Sequence, residues 1–176
     1  AYVYVRSGST WTQQQKITTA TPLYNQSFGG SVSLNSDGTY ALIGGYNSSD
    51  AVSNAGAGYV FTRSGSTWTQ QAELKASDPT AGDSLAGEPK TSKISADGTY
   101  AILGAVLQDT GGSNAGAAYI FTRSGSTWTQ QQKILSSDIQ ADDRFGQSVS
   151  INQDGTYAIV GTKFEDGGSG DPISAA

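Results

Sequence analysis

An all-β fold built from tandem four-stranded antiparallel sheets, the blades of a β-propeller, is predicted by three features of the sequence. A motif reading Tyr-hydrophobic-(Tyr/Phe)-x-Arg-Ser-Gly-Ser-Thr-Trp-Thr-Gln-Gln occurs three times, with its tryptophans at Trp11, Trp68 and Trp128, 57 and 60 residues apart. A second motif, Asp-Gly-Thr-Tyr-Ala with two aliphatic residues and Gly, alternates with the first at 37–44, 97–104 and 154–161. Helical periodicity is absent throughout, and short apolar runs alternate with turn residues instead. A unit that recurs with small loop insertions is one supersecondary module, and the architecture follows from stacking it. The competing all-β solution, a sandwich, needs no such repetition.

One repeat justifies each element. Ser31, Val32, Ser33 and Leu34 alternate polar and apolar; Asn35, Ser36, Asp37 and Gly38 turn the chain; Thr39 to Gly44 runs back. Asp-Gly suits this hairpin because Gly accepts positive φ and Asp tolerates left-handed geometry. A polar loop, 45–54, leads to a third strand over 57–62, rich in aromatic and β-branched residues. Ser64, Gly65, Ser66 and Thr67 make the next turn, and Trp68 to Leu74 supplies a fourth strand. Strict alternation predicts Trp68, Gln70, Ala72 and Leu74 on one face of it, with Thr69, Gln71 and Glu73 on the other.

The chain reads as a single propeller segment over 1–176, with repeats at 1–57, 58–117 and 118–176. It opens on the third strand of a blade and stops before that strand recurs. Two whole blades, 28–77 and 85–137, are thus expected between two complementary half-blades, an outer pair at the N-terminus and an inner pair at the C-terminus. Joining the halves of one chain would give three blades, too tight a ring where about four to eight are usual. Either two chains exchange half-blades to make six, or further repeats of a longer chain complete the ring; starting and stopping in mid-repeat favours the longer chain. The tryptophans, Tyr40, Tyr100 and Tyr157, and the pairs Leu42-Ile43, Ile102-Leu103 and Ile159-Val160 are expected to fill the core between blades.

Composition excludes much chemistry. The chain of 176 residues has no Cys and no His, so disulfides, thiolate metal sites and Ser-His or Cys-His nucleophiles are absent. A net charge of −5 without a basic cluster gives nucleic-acid phosphates nothing to hold. No apolar run approaches the length of a membrane-spanning helix, so membrane insertion is not expected.

At Ser27-Phe28-Gly29-Gly30-Ser31 and Arg144-Phe145-Gly146-Gln147-Ser148 the sequence resembles FG-GAP repeats, whose later Gly-Ala-Pro position aligns with Gly44-Gly45-Tyr46, Gly104-Ala105-Val106 and Gly161-Thr162-Lys163. No copy keeps the proline, and the middle repeat begins Leu85-Ala86-Gly87. The resemblance covers all three repeats. It implies a β-propeller of the kind found in integrin α-chain heads and in many secreted or surface proteins of microbes and viruses, serving adhesion or assembly. Many such repeats carry a calcium loop of alternating acidic residues. Here Asp37, Asp97 and Asp154 offer one carboxylate per turn, too few for a six- to eight-oxygen cage.

Other acidic candidates for a metal lie in the loops entering the blades: Asp78 and Asp83, aligned with Asp138 and Asp143, with Asp142 beside the last. Their alternative role is to accept backbone hydrogen bonds and stabilise a long loop. Glu165, Asp166 and Asp171 resemble a calcium turn without its spacing. Calcium is the one cofactor considered. The expected function is noncatalytic: an extracellular, cell-surface or virion-surface module for adhesion, recognition or assembly through the loops 45–54, 105–114 and 162–174. Its expected partners are protein or glycan, with Tyr46 and Phe164 as the aromatic candidates for ligand contact. The alternatives are a glycan-processing enzyme using a carboxylate pair and a pure scaffold of a fibre or capsid decoration. Arg6, Arg63 and Arg123 recur beside a hairpin turn and are expected to be structural.

Overall fold

The computed structural model describes residues 1–22, 26–46 and 52–164. Among them, twelve strands form two four-stranded and two two-stranded antiparallel sheets. The N-terminal pair is β1 (Tyr2–Ser7) and β2 (Thr10–Lys16). The first whole blade follows as β3 (Val32–Leu34), β4 (Tyr40–Gly45), β5 (Ala57–Ser64) and β6 (Thr67–Leu74), each strand paired with the next. The second whole blade repeats this meander with β7 (Ser92–Ile94), β8 (Tyr100–Ala105), β9 (Ala117–Ser124) and β10 (Thr127–Ile134). The C-terminal pair is β11 (Ser148–Ile151) and β12 (Ala158–Gly161). These are the expected blades: two whole ones between an outer and an inner half. The half-blades belong to separate sheets, so the described chain forms an open arc.

The turns explain themselves locally. In the inner hairpin Gly38 takes the left-handed conformation, at φ +65°, as do Gly98 and Gly155. Asp37, Asp97 and Asp154 do not. They act through their side chains, the Asp37 carboxylate accepting from the Thr39 backbone N–H at 2.9 Å. Asn35 Oδ1 accepts from Thr39 and Tyr40 backbone N–H groups at 2.9 Å, mimicking a further turn of backbone. The recurrent arginine ties this turn to the outer one: Arg63 Nε donates to Gly38 O at 2.6 Å, and Arg123 Nε to Gly98 O at 2.8 Å.

The outer strand departs from strict alternation. Phe61 pairs with Gln70 and Val60 with Ala72, so Gln71 is the extra residue of a β-bulge. The same bulge falls at Gln14 in β2 and Gln131 in β10. One inserted residue reverses which face later side chains occupy. Trp68 therefore packs with Ile17, Ile43, Tyr59 and Phe61 against the preceding half-blade, whereas Leu74 packs with Leu42, Ile94 and Leu103 against the next blade. The expectation that Trp68 and Leu74 share a face is thereby corrected.

The core consists of clusters between adjacent sheets, and each fully buried aliphatic or aromatic side chain there contributes about 1.5–3 kcal/mol. Blade spacing also depends on Gly44 and Gly104. A Cβ on Gly44 would overlap the carbonyl oxygen of Ala86 in the next blade, and one on Gly104 that of Gly146. Gly104→Ala is expected to destabilise by more than about 3 kcal/mol, because backbone must move. Gly65→Ala, left-handed but with open space around it, should cost about 1–2 kcal/mol. Urea unfolding of both variants checks the contrast.

Candidate functional site: two open blade faces

The joints inside the arc are made by a small set of side chains. Trp68 Nε1 donates to Gln14 Oε1 at 3.1 Å, and Trp128 Nε1 to Gln71 Oε1 at 3.0 Å. Each acceptor is the bulged residue of the preceding sheet. The other motif glutamine also reaches backward: Gln70 accepts from Ala20 N–H and Gln130 from Ser77 N–H, both at 2.8 Å. The Arg123 guanidinium lies 4.4 Å from the ring centroid of Tyr40 in the blade before it. Between the two whole blades, Asp78 accepts from the Tyr119 hydroxyl at 3.0 Å and from Lys133 Nζ at 2.8 Å. At the first joint Gln26 Nε2 instead donates to the Tyr59 hydroxyl at 2.8 Å.

At the two ends of the arc the same positions are open. Trp11 is 64% exposed where Trp68 is 5% exposed, and Leu34 is 54% exposed where Ile94 is 1% exposed. Tyr2 and Tyr4 are exposed, whereas their counterparts Tyr59 and Phe61 are buried. At the far end Ile159 is 72% exposed against none for Leu42, and Tyr157 is exposed with it. The expectation that every tryptophan, motif tyrosine and aliphatic pair is core holds inside the arc and fails at its ends. The physical reason is that a blade face is buried by its neighbour, not by its own sheet. A concavity of about 390 Å³ opens between the N-terminal half-blade and the first whole blade, lined by Val3, Ile17, Leu34, Ala41 and Ile43 among others. Their repeat counterparts Val60, Leu74, Ile94, Ala101 and Leu103 enclose Leu42 at the next joint.

The acidic candidates are dispersed into local hydrogen bonds. Asp83 is buried and accepts from the Thr80 backbone N–H at 2.7 Å; Asp143, equally buried, accepts from Gln140 N–H at 2.6 Å. Asp142 accepts from Asn114 Nδ2 at 3.0 Å, and Asp138 from the Ser136 hydroxyl. Asp78 is engaged by Lys133 and Tyr119. No group of three or more His, Cys, Asp or Glu is placed to hold a metal ion among the described residues. Glu165, Asp166 and Asp171 lie outside them.

The aromatic candidates do not occupy one repeated position. Strand register sets Tyr46 level with Val106 and Lys163, so Phe164 stands one place further along. Tyr46 packs beside Gly87, and the Phe164 ring sits under Arg144 at 5.2 Å and Lys163 at 4.8 Å. Sequence reasoning missed the joint-forming glutamines; their signal was the unvarying Gln-Gln after each Trp-Thr.

Burial opposes ionisation of Asp78, but the hydrogen bonds from Lys133 and Tyr119 outweigh it and hold its carboxyl below the usual range. Burial, and then Asp78 itself, push the Tyr119 hydroxyl well above its ordinary value. Because the folded-state value of Asp78 is depressed, its contribution is complete above the unfolded carboxylate value of about 3.9 and is lost as pH falls through the folded one. Asp78→Asn should therefore lower stability at pH 7 by up to about 1 kcal/mol for this half-exposed pair. The difference from the parent protein should shrink as pH falls from the unfolded carboxylate value through the depressed folded one, as followed by thermal melts across pH.

No curated protein matches the chain. A family model described as FG-GAP repeat matches residues 11–61, 68–121 and 128–173. Each match begins on the motif tryptophan and runs from the outer strand of one blade into the next, so the matches span every joint of the arc. The chain belongs to the FG-GAP repeat family, and its sheets are β-propeller blades.

Proposed function

We propose that this chain is a noncatalytic β-propeller module for recognition or assembly, displayed outside cells or on a virus particle, whose working form is a closed ring. The observation that carries the reading is the exposure of Trp11, Tyr2 and Leu34 at one end and of Ile159 at the other, where Trp68, Tyr59, Ile94 and Leu42 at the same repeat positions are buried inside the arc. Faces this apolar are completed by a neighbour, and closure also removes the two unpaired edges of β1 and β12.

Recognition of a protein or glycan belongs to one rim. The described residues at the end of the loop after β4, and the loop after β8, meet there with the segments crossing into the next blade, Leu85 N–H bonding Ala55 O and Phe145 N–H bonding Ala115 O, both at 2.8 Å. Repeated rim loops give avidity even where each contact is weak. Support for a noncatalytic role comes from the carboxylates, which serve as acceptors in turns and loops.

Hydrogen exchange of the assembled protein tests the closed ring. The amides on the open edges of β1 and β12 should be protected as strongly as those between β4 and β5. Exchange there at the rate of solvent-exposed loops overturns the reading.

A further inference from the structure

We propose that the two open faces bind each other in trans, so that two copies of this chain exchange half-blades and close a ring of six. This rests on the closed-ring reading and names what completes it. The supporting observation is that the two faces carry the chemistry of the joint between the whole blades, divided between them.

In that joint Tyr119 and Lys133 face each other across β9 and β10, and Asp78, in the segment crossing from the preceding blade, takes a hydrogen bond from each. Tyr2 and Lys16 face each other in the same register across β1 and β2. Lys16 Nζ stands 5.9 Å from the Tyr2 ring, as Lys133 Nζ stands 5.6 Å from that of Tyr119. The repeat position of Asp78 recurs at the other end as Asp138, an exposed carboxylate. The remaining joint has no such combination: Tyr59 faces Glu73, with Thr21 and Gln26 in the places of the two acids. Charge therefore matches the N-terminal face to the C-terminal one.

The uncharged contacts agree. Gln131, at the bulge of β10, is exposed and supplies the acceptor that the exposed Trp11 indole lacks. Repeat equivalence also sets Arg6 at the carbonyl of Gly155, as Arg63 is set at Gly38 and Arg123 at Gly98.

Shape completes the match. The turn glycines Gly98 and Gly155 are each covered by the tyrosine ring of the blade before, Tyr40 and Tyr100, while no ring covers Gly38, where a Cβ would meet open space, and Tyr157 is exposed. Pairing β12 of one copy with β1 of the other seats Tyr157 against Gly38 and Ile159 in the concavity beside Leu34 and Ile43. Each copy contributes the equivalent of three blades, and six lies within the usual range of closed propellers.

The test uses the chain itself, by light scattering coupled to gel filtration and by sedimentation equilibrium. The expected particle at about 100 μM, well above the dissociation constant of a stable interface, has twice the 18.2 kDa chain mass. Lys16→Asp or Asp138→Lys alone should weaken the dimer about tenfold, and the two together should restore it. Ile159→Lys, at a surface position that spares the monomer fold, should abolish it. A monomer, an open polymer, or a dimer indifferent to the charge exchange overturns the proposal. A monomer whose β1 amides are nevertheless protected would overturn the second copy while leaving the closed ring standing.

Discussion

The structure depends on one recurring interaction, the indole N–H of Trp68 and of Trp128 bonding the bulged glutamine of the sheet before it. A bulge leaves one residue outside ladder pairing, and here that residue becomes the acceptor for the neighbouring blade. The hydrogen bond satisfies a donor that would otherwise be buried without a partner, which costs about 1–3 kcal/mol. It also fixes how far each sheet lies along the next. The bulge has a second consequence: it turns the strand over, so that the tryptophan faces backward and the leucine six residues later faces forward. One inserted residue thus lets a single strand serve two joints.

Close backbone approach is the complementary constraint. Gly44 and Gly104 lie so near the carbonyls of Ala86 and Gly146 that no side chain fits. The Phe-Gly and Gly-Ala-Pro positions of the family meet across a joint. Their glycines are therefore explained by packing between blades. Such joints make stability a sum of neighbouring terms, so the arc is satisfied inside and unsatisfied at both ends. The exposed faces at the ends are copies of faces that are buried against a neighbour inside the arc.

Much of this was legible in the sequence. Repeat spacing, Asp-Gly turns and the phase of the motifs predict four strands per blade and the two half-blades, because turn chemistry and period-two alternation act locally. The bulge was not legible, since Gln70, Gln71 and Ala72 read as simple alternation and only the partner strand shows which residue is extra. The exposure of Trp11 beside a buried Trp68 was also hidden: two identical motifs differ only in whether a sheet lies against them. Among the candidate metal ligands, alignment found the pairs Asp78 with Asp138 and Asp83 with Asp143. It could not show that Lys133 and Tyr119, far along the chain, converge on Asp78. Tyr46 and Phe164 both follow an inner hairpin, and strand register sets them one place apart.

A double-mutant cycle on Trp128→Phe and Gln71→Ala, read by equilibrium unfolding, tests the joint most directly. The account predicts a coupling of about 1 kcal/mol, since either substitution alone removes the same hydrogen bond. Additive effects, with no coupling, would contradict it.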